Sequence, residues 1–449
     1  MPLESRSWLD KYLGMNYYIS DCEGIDGKVK QNLEDFIVEE VLLDGQVVPT
    51  SITNKPLPKI MGKPGPWTWL IIEKRGVDAI TLLLILSKKL GINLRDISFG
   101  GFKDALAITS QIISIRGVSS SSIPNELGNG VKILGTYTMD KPFTTGDIWG
   151  NEFTIRIRGI DTSRKGNIDC IISQILARGL PSYYGYQRFG LKRPNSHIIG
   201  KYIVLGDFEG AVNELLAHGY PMEPPKIREA REFIAKTGDY TKALELIPKG
   251  YRYYPERVIL RHLSSNPGDY VNALRKLPHE LLMIYVEAYQ SYLFNLALSE
   301  RISRGLPINK AVSGDIVVLL DEYGLPTKHV IHVTEPMINS VNELIMKGRA
   351  VPAAHLIGYA TKPLPGPQGD IELEILKREG IDPGLFRVRS IPKLSIKGGY
   401  RPLYVRPLIL STSIVNNELN IVFRLPRGNY ATVLLRELIK SSNPETTFT

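Results

Sequence analysis

Strand-like sequence dominates the start of this chain, yields to helix-rich sequence near residue 194 and dominates again after about residue 388. Residues 35–41 (DFIVEEV), 67–74 (WTWLIIEK), 111–117, 131–139 and 152–160 are short runs rich in β-branched and aromatic residues, which reads as strands. Residues 78–90 (DAITLLLILSKKL) read as a helix, with Asp78 able to cap its start and Gly91 suited to the left-handed position after its end. Ile168, Ile171, Ile172, Ile175 and Leu176 recur at helical spacing and predict a second helix over 163–178. From 194 to 387 helical segments dominate, among them 207–218, 226–237 and 280–304, broken by Pro-rich joins such as EPPK and KPLPGPQG. Strands at 401–410 and 419–428 and a closing helix (YATVLLRELIKSS) finish the chain. A β-rich start, a helix-rich middle and a β-rich end predict an α+β fold with a mixed sheet. Its outer domain is discontinuous and is interrupted by an insertion.

A length of 449 residues predicts two or three domains. The longest apolar stretch, AITLLLIL at 79–86, is far short of the ~20 residues that span a bilayer. MPLESRSWLDKYLG has no apolar signal core, so the chain reads as cytoplasmic, with no membrane partner. Cys22 and Cys170 lie far apart in sequence and read as neither a metal pair nor a disulfide framework; a buried structural role is expected for both. The net charge of +9 favours a polyanionic partner, nucleic acid ahead of membrane, although excess lysine for solubility would give the same sum. Three stretches favour the nucleic acid: YYGYQRFGLKR (183–193), KGYRYYPER (249–257) and FRVRSIPKLSIKGGYR (386–401). Each mixes cations for phosphates with flat rings for unstacked bases, as looped RNA requires.

No GxxxxGKS/T phosphate loop, GxGxxG turn, HExxH zinc motif or GxSxG elbow is present. His329 and His332 sit in a strand-like run (KHVIH), where their spacing is a poor metal site. A cofactor-free, metal-free enzyme, or no enzyme, remains. GGFKDALAITSQ (100–111) then stands out, because Lys103 and Asp104 sit side by side between a Gly pair and an apolar alternation. A loop aspartate is ordinarily a turn former; the other reading is a strand end presenting one carboxylate.

Two further stretches weigh on that choice. Together with GGFKDALAITSQ, KQNLEDFIVEE (30–40) and LPSYYGYQRFG (180–190) resemble the three signature blocks of the TruD-type tRNA pseudouridine synthases, in their archaeal and eukaryotic branch. EAYQSYLFNLALSER (287–301) and LPRGNYATVLLREL (425–438) are similar to the family's inserted-domain helix and C-terminal block. The resemblance implies a pseudouridine-synthase-like catalytic domain from residues 1–193 and 388–449, an inserted TRUD domain over 194–387, and tRNA in the cleft between them. It also implies a cofactor-free isomerase; a monomer is expected, with the oligomeric state left open by the sequence. Asp104 falls on the family's catalytic aspartate, Lys30 and Phe36 on positions of its first block, and Tyr184 on the aromatic that contacts the target base. The family's usual target is uridine at position 13 of tRNA, and some relatives also act at position 35 of tRNA-Tyr.

That chemistry suits these residue types. One carboxylate attacking or stabilising the sugar C1′ in a dry site suffices to break the C1′–N1 bond and remake it at C5. Lys103 or Lys30 would keep Asp104 ionised, or would instead meet phosphate or solvent. Tyr184 or Phe36 offers a ring for the extruded base, unless it packs the core. Gln187 and Arg188 would contact the backbone or orient their loop, with Arg188 better suited to pairing with a carboxylate. Tyr285, Tyr289 and Tyr292 repeat at helical spacing as core. Ala105 and Leu106 replace basic residues of the family, and Ser182 replaces an asparagine suited to a uracil edge, which predicts reduced or redirected activity. Two other readings stay open: a tRNA-binding protein of the same fold with weak catalysis, and a glycoside hydrolase needing a second acid from Asp35, Glu39 or Glu40.

Overall fold

A computed structural model describes residues 3–101, 103, 106–250 and 253–448. Asp104 and Ala105 lie outside the described residues. The large sheet is centred on Phe36–Leu42, which pairs antiparallel with Ile148–Arg158 on one side and parallel with Ile108–Arg116 on the other. Beyond Ile108–Arg116 come Trp67–Arg75, Val131–Met139 and Glu126–Gly128. Beyond Ile148–Arg158 come Glu418–Pro426 and Leu408–Val415, so strands from the two ends of the chain share one sheet. A second, four-stranded sheet is built from Ile316–Leu320, Pro326–His332, Ala350–Leu356 and Gly399–Pro402.

Local signals explain most elements. Helix Ala79–Leu90 starts where Thr81 N donates to the Asp78 carboxylate at 2.9 Å and ends at Gly91, which takes φ +65°. Helix Gly166–Arg178 buries Ile168, Ile171 and Ile175 but leaves Leu176 half exposed; residues Thr162–Arg164 form a separate tight turn before it. The run at 401–410 is not one strand. Gly399–Pro402 completes the small sheet, Tyr404–Val405 pairs with Leu180–Pro181, and Leu408–Val415 joins the large sheet. Pro402 and Pro407 lack the N–H that a continuous ladder needs, and each falls at a break.

Helix Ala431–Ile439 is buried along its whole length, charged residues included. Its charges are met from the other end of the chain. Arg436 Nε donates to Asp10 at 2.7 Å and Arg436 Nη2 to the Met15 carbonyl at 2.6 Å, while Glu437 accepts from the N–H groups of Ile19 and Ser20. Tyr289 is fully buried and stacks with Tyr292 and Phe386, and Tyr285 packs against the same core, as expected.

The cysteines overturn their sequence reading. Cys22 and Cys170 are joined in a disulfide that closes 148 residues of chain, and Cys170 is exposed. The pairing is tertiary in origin. Asp21 and Gln174 exchange hydrogen bonds and Arg178 donates to the Ile19 carbonyl, which lays residues 19–22 along helix Gly166–Arg178.

Candidate active-site cleft

Strand alternation builds the floor of the cleft. Phe36, Val38 and Glu40 point to one face of their strand, and the register sets Val38 opposite Phe153 and Glu40 opposite Asn151. Phe36, Val38 and Phe153 floor a cavity of about 430 Å³; Lys103, Asn151, Gln187, Arg188, Tyr430 and Thr432 contribute to its rim. Phe36 is 1% exposed and meets Phe153 edge to face, so it serves as core and as cavity wall together.

The segment from Gly100 to Ala107 joins strand Ile97–Phe99 to Ile108–Arg116. A Cβ at Gly100 would fall 1.8 Å from Ile148 Cδ1, which explains the glycine there. Ile108 pairs with Ile37, so the segment re-enters the sheet beside Phe36. Lys103 Nζ lies 3.0 Å from Glu40 Oε1 and donates to Asn151 Oδ1. Its side chain is almost excluded from solvent, so its ammonium serves Glu40 and Asn151 rather than water. Lys74 is fully buried and reaches the same segment, with Nζ 2.7 Å from the Val77 carbonyl and 3.4 Å from that of Lys103. Lys30 takes φ +60°, a conformation uncommon outside glycine and asparagine, and holds its ammonium 4.3 Å from the centre of the Phe36 ring.

Helix His279–Ser303 fixes the opposite wall. Glu287, Ser291, Asn295 and Ser299 repeat every four residues and so lie along one face of it. Arg188 donates to Ser291 Oγ at 3.1 Å and to Glu287 at 2.8 Å. Asn295 accepts from Tyr184 N and donates to Tyr184 O, and the hydroxyls of Tyr183 and Ser299 are 2.9 Å apart. Gln187 accepts from Thr432 at 2.9 Å. A Cβ at Gly185 would meet Thr432 Oγ1 at 2.5 Å, so only glycine lets the two loops close on each other.

The Tyr184 ring has the Arg401 guanidinium 4.0 Å from its centre, with Tyr430 and Phe294 each at 5.9 Å. It stands one ring behind the cavity, in contact with Tyr430 at the rim. Ser182 is buried away from this cavity and lines a neighbouring one; its hydroxyl has no hydrogen-bond partner among the described residues. Leu106 is 48% exposed. Of the residues expected from the sequence, the fold therefore brings Phe36, Lys103, Gln187 and Arg188 to one cavity, with Lys30 over the Phe36 ring and Tyr184 behind the rim. Sequence reasoning missed Asn151, Phe153, Arg401 and Tyr430, although the GNY of the last block and the four-residue repeat in EAYQSYLFNLALSER were available signals.

The three acids that a hydrolase would draw on are engaged. Burial opposes charge on Asp35, yet two hydrogen bonds from Arg158 and one from Asn32 N hold its carboxyl below the ordinary range. Glu39 is bound by Thr50 and Lys55, and Glu40 by Lys103 and Ile112 N. No helix among the described residues is long and apolar enough to cross a membrane, and no group of three or more His, Cys, Asp or Glu among them could hold a metal ion.

The fold and the cleft define a class: an α+β protein in which strands from both ends of the chain share one sheet and floor a cleft lined by aromatic and basic residues. Residues 12–438 match the family model described as tRNA pseudouridine synthase D (TruD), and the chain belongs to that family, whose members are RNA-modifying isomerases. It is 41% identical over 440 residues to the "Probable tRNA pseudouridine synthase D" of Pyrobaculum islandicum, covering 97% of each chain. It is 36% identical to the protein of that name from Methanosarcina mazei, covering 96% of this chain and 97% of that one. The crystal structure of a TruD protein of Methanosarcina mazei superposes with a TM-score of 0.75 at 35% identity, covering 97% of this chain and 98% of that one.

Proposed function

We propose that the protein converts a uridine of tRNA to pseudouridine, with the Asp104 carboxylate acting at the sugar C1′. One observation carries the reading: Lys103, the chain neighbour of Asp104, helps form the wall of a cavity floored by Phe36, Val38 and Phe153. In the reaction the C1′–N1 bond breaks, the uracil turns, C1′ bonds to C5, and the proton lost from C5 is balanced by one gained at N1. Because the product is an isomer, no redox partner or group donor enters. An apolar floor excludes the water that would otherwise capture C1′. Lys30 beside Phe36 supplies a cation, and the Tyr430 ring at the rim, backed by Tyr184, supplies a stacking surface for a base drawn out of its stack.

The same reading takes residues 194–387 as an inserted domain between catalytic segments 1–193 and 388–449, with tRNA lying between them. Uridine at position 13 is its proposed target, with position 35 of tRNA-Tyr as a second. The test is Asp104→Asn assayed on unmodified tRNA transcripts with pseudouridine mapped at every position. Wild type should modify one of those sites, and the variant should lose the product while still folding and binding tRNA. Wild-type turnover by the variant overturns the assignment. Full conversion by sparse wild-type enzyme would remove the expectation that Ala105, Leu106 and Ser182 weaken activity.

A further inference from the structure

A second cavity, of about 380 Å³, opens beside the first, between the small sheet and the edge of the large one. Asn429 lines both cavities, so the two adjoin at that residue. Three arginines, Arg401, Arg406 and Arg427, line the second cavity, and no Asp or Glu side chain does among the described residues. Their hydrogen bonds do not neutralise them. Arg401 donates to the carbonyls of Ser182 and Gly428, and Arg427 to those of Thr145 and Ile148. Arg406 is exposed, 5.9 Å from the centre of the Tyr404 ring. None of the three forms an ion pair with a carboxylate among the described residues.

Flat rings share this wall. Tyr400 is 39% exposed and Tyr323 42% exposed. Tyr323 sits on a turn held from two sides, since Trp149 Nε1 donates to its carbonyl at 3.0 Å and its N–H donates to Asp321 at 2.9 Å. Ser182, only 3% exposed, belongs to the same lining through a backbone whose carbonyl accepts from Arg401. Unneutralised guanidinium groups and open tyrosine rings form the complement of a phosphate and a base.

We propose that this second cavity is a subsite for a nucleotide flanking the one held in the first cavity. Its base lies against Tyr400, and its phosphate meets Arg406 and Arg427. The inference rests on the functional reading above and extends it to the neighbouring nucleotide. Arg401 joins the subsites physically: it lines the second cavity and covers the Tyr184 ring that backs the first.

The test uses the full-length protein, unmodified tRNA transcript, and the same transcript with single abasic substitutions on either side of the modified uridine. Tyr400→Ala and Arg406→Ala change exposed side chains and should leave folding intact. Tyr400→Ala should weaken tRNA binding about 5- to 150-fold. Arg406→Ala should weaken it less and reduce the salt dependence of binding by about one counterion. One abasic substitution should cost wild type a similar factor but cost Tyr400→Ala nothing further. Unchanged affinity in both variants, or full additivity of Tyr400→Ala with every abasic site, overturns the subsite while wild-type pseudouridine formation keeps the functional reading intact. A wild-type protein that binds no tRNA overturns both.

Discussion

Lys103 and Glu40 form an ion pair of 3.0 Å in which the carboxylate is fully buried and the lysine nearly so. The strand residue directly opposite Glu40, Asn151, takes another hydrogen bond from the same ammonium. The residue before Asp104 is thus clamped to the sheet by a cross-strand pair, not left to reach for phosphate.

Breaking that clamp from one side strands a buried charge, which costs about 3–5 kcal/mol. Glu40→Ala should lower unfolding free energy in urea by that order and reduce pseudouridine formation with it. The double variant Glu40→Leu with Lys103→Met should recover much of the stability without recovering activity. Equal stability of Glu40→Ala and wild type would contradict the buried pair.

Tyr184 presents a ring already faced by the Arg401 guanidinium. Tyr184→Ala removes the ring that backs Tyr430 at the cavity rim and should reduce kcat/KM on tRNA by a factor matching the loss of an aromatic pair, about 0.5–1.5 kcal/mol. Tyr184→Phe keeps the ring and should stay within a few-fold of wild type. Equal losses in the two variants would assign the role to the hydroxyl instead.

The pair Arg436–Asp10 joins residues 426 positions apart, and Tyr186 also donates to Asp10 at 2.6 Å. Arg436→Met leaves the Asp10 carboxylate buried without its cation, so a destabilisation of about 3–5 kcal/mol is expected by chemical unfolding. Release of residues 5–20 should appear as faster amide exchange there.

His197 is surrounded by the rings of Tyr12, Phe189 and Tyr292, and burial lowers its pKa from 6.5 to about 3. Below pH 6.5 the unfolded chain binds a proton that the folded chain refuses until about pH 3. Stability therefore falls as pH drops through that window, by at most about 1.4 kcal/mol per unit from this group. His197→Phe should flatten the slope of unfolding free energy between pH 6.5 and 4 relative to wild type, whatever its effect at pH 7.

Reduction of Cys22–Cys170 reopens a loop of 148 residues. Chain entropy puts the loss at up to about 5 kcal/mol. Reductant, or Cys22→Ser, should lower the unfolding midpoint by a similar amount, and reductant should have no effect on the variant.

Much was readable in the residues alone. Asp78 and Gly91 mark their helix ends because capping is a local matter, and the run at 35–41 marks its strand because β-branched and aromatic preference belongs to the residues themselves. The ordered blocks from Lys30 to the final helix identified the family without coordinates. What stayed hidden depends on which distant segments meet. Nothing near Lys103 in sequence announces Glu40 and Asn151, and nothing near Cys22 announces Cys170. Nor does the 401–410 run reveal that its prolines divide it among three sheets, setting Arg401 over Tyr184. Local preference is set within a turn or two of chain, whereas burial, ion pairing and ring stacking act between residues hundreds of positions apart. Only the folded chain decides those meetings.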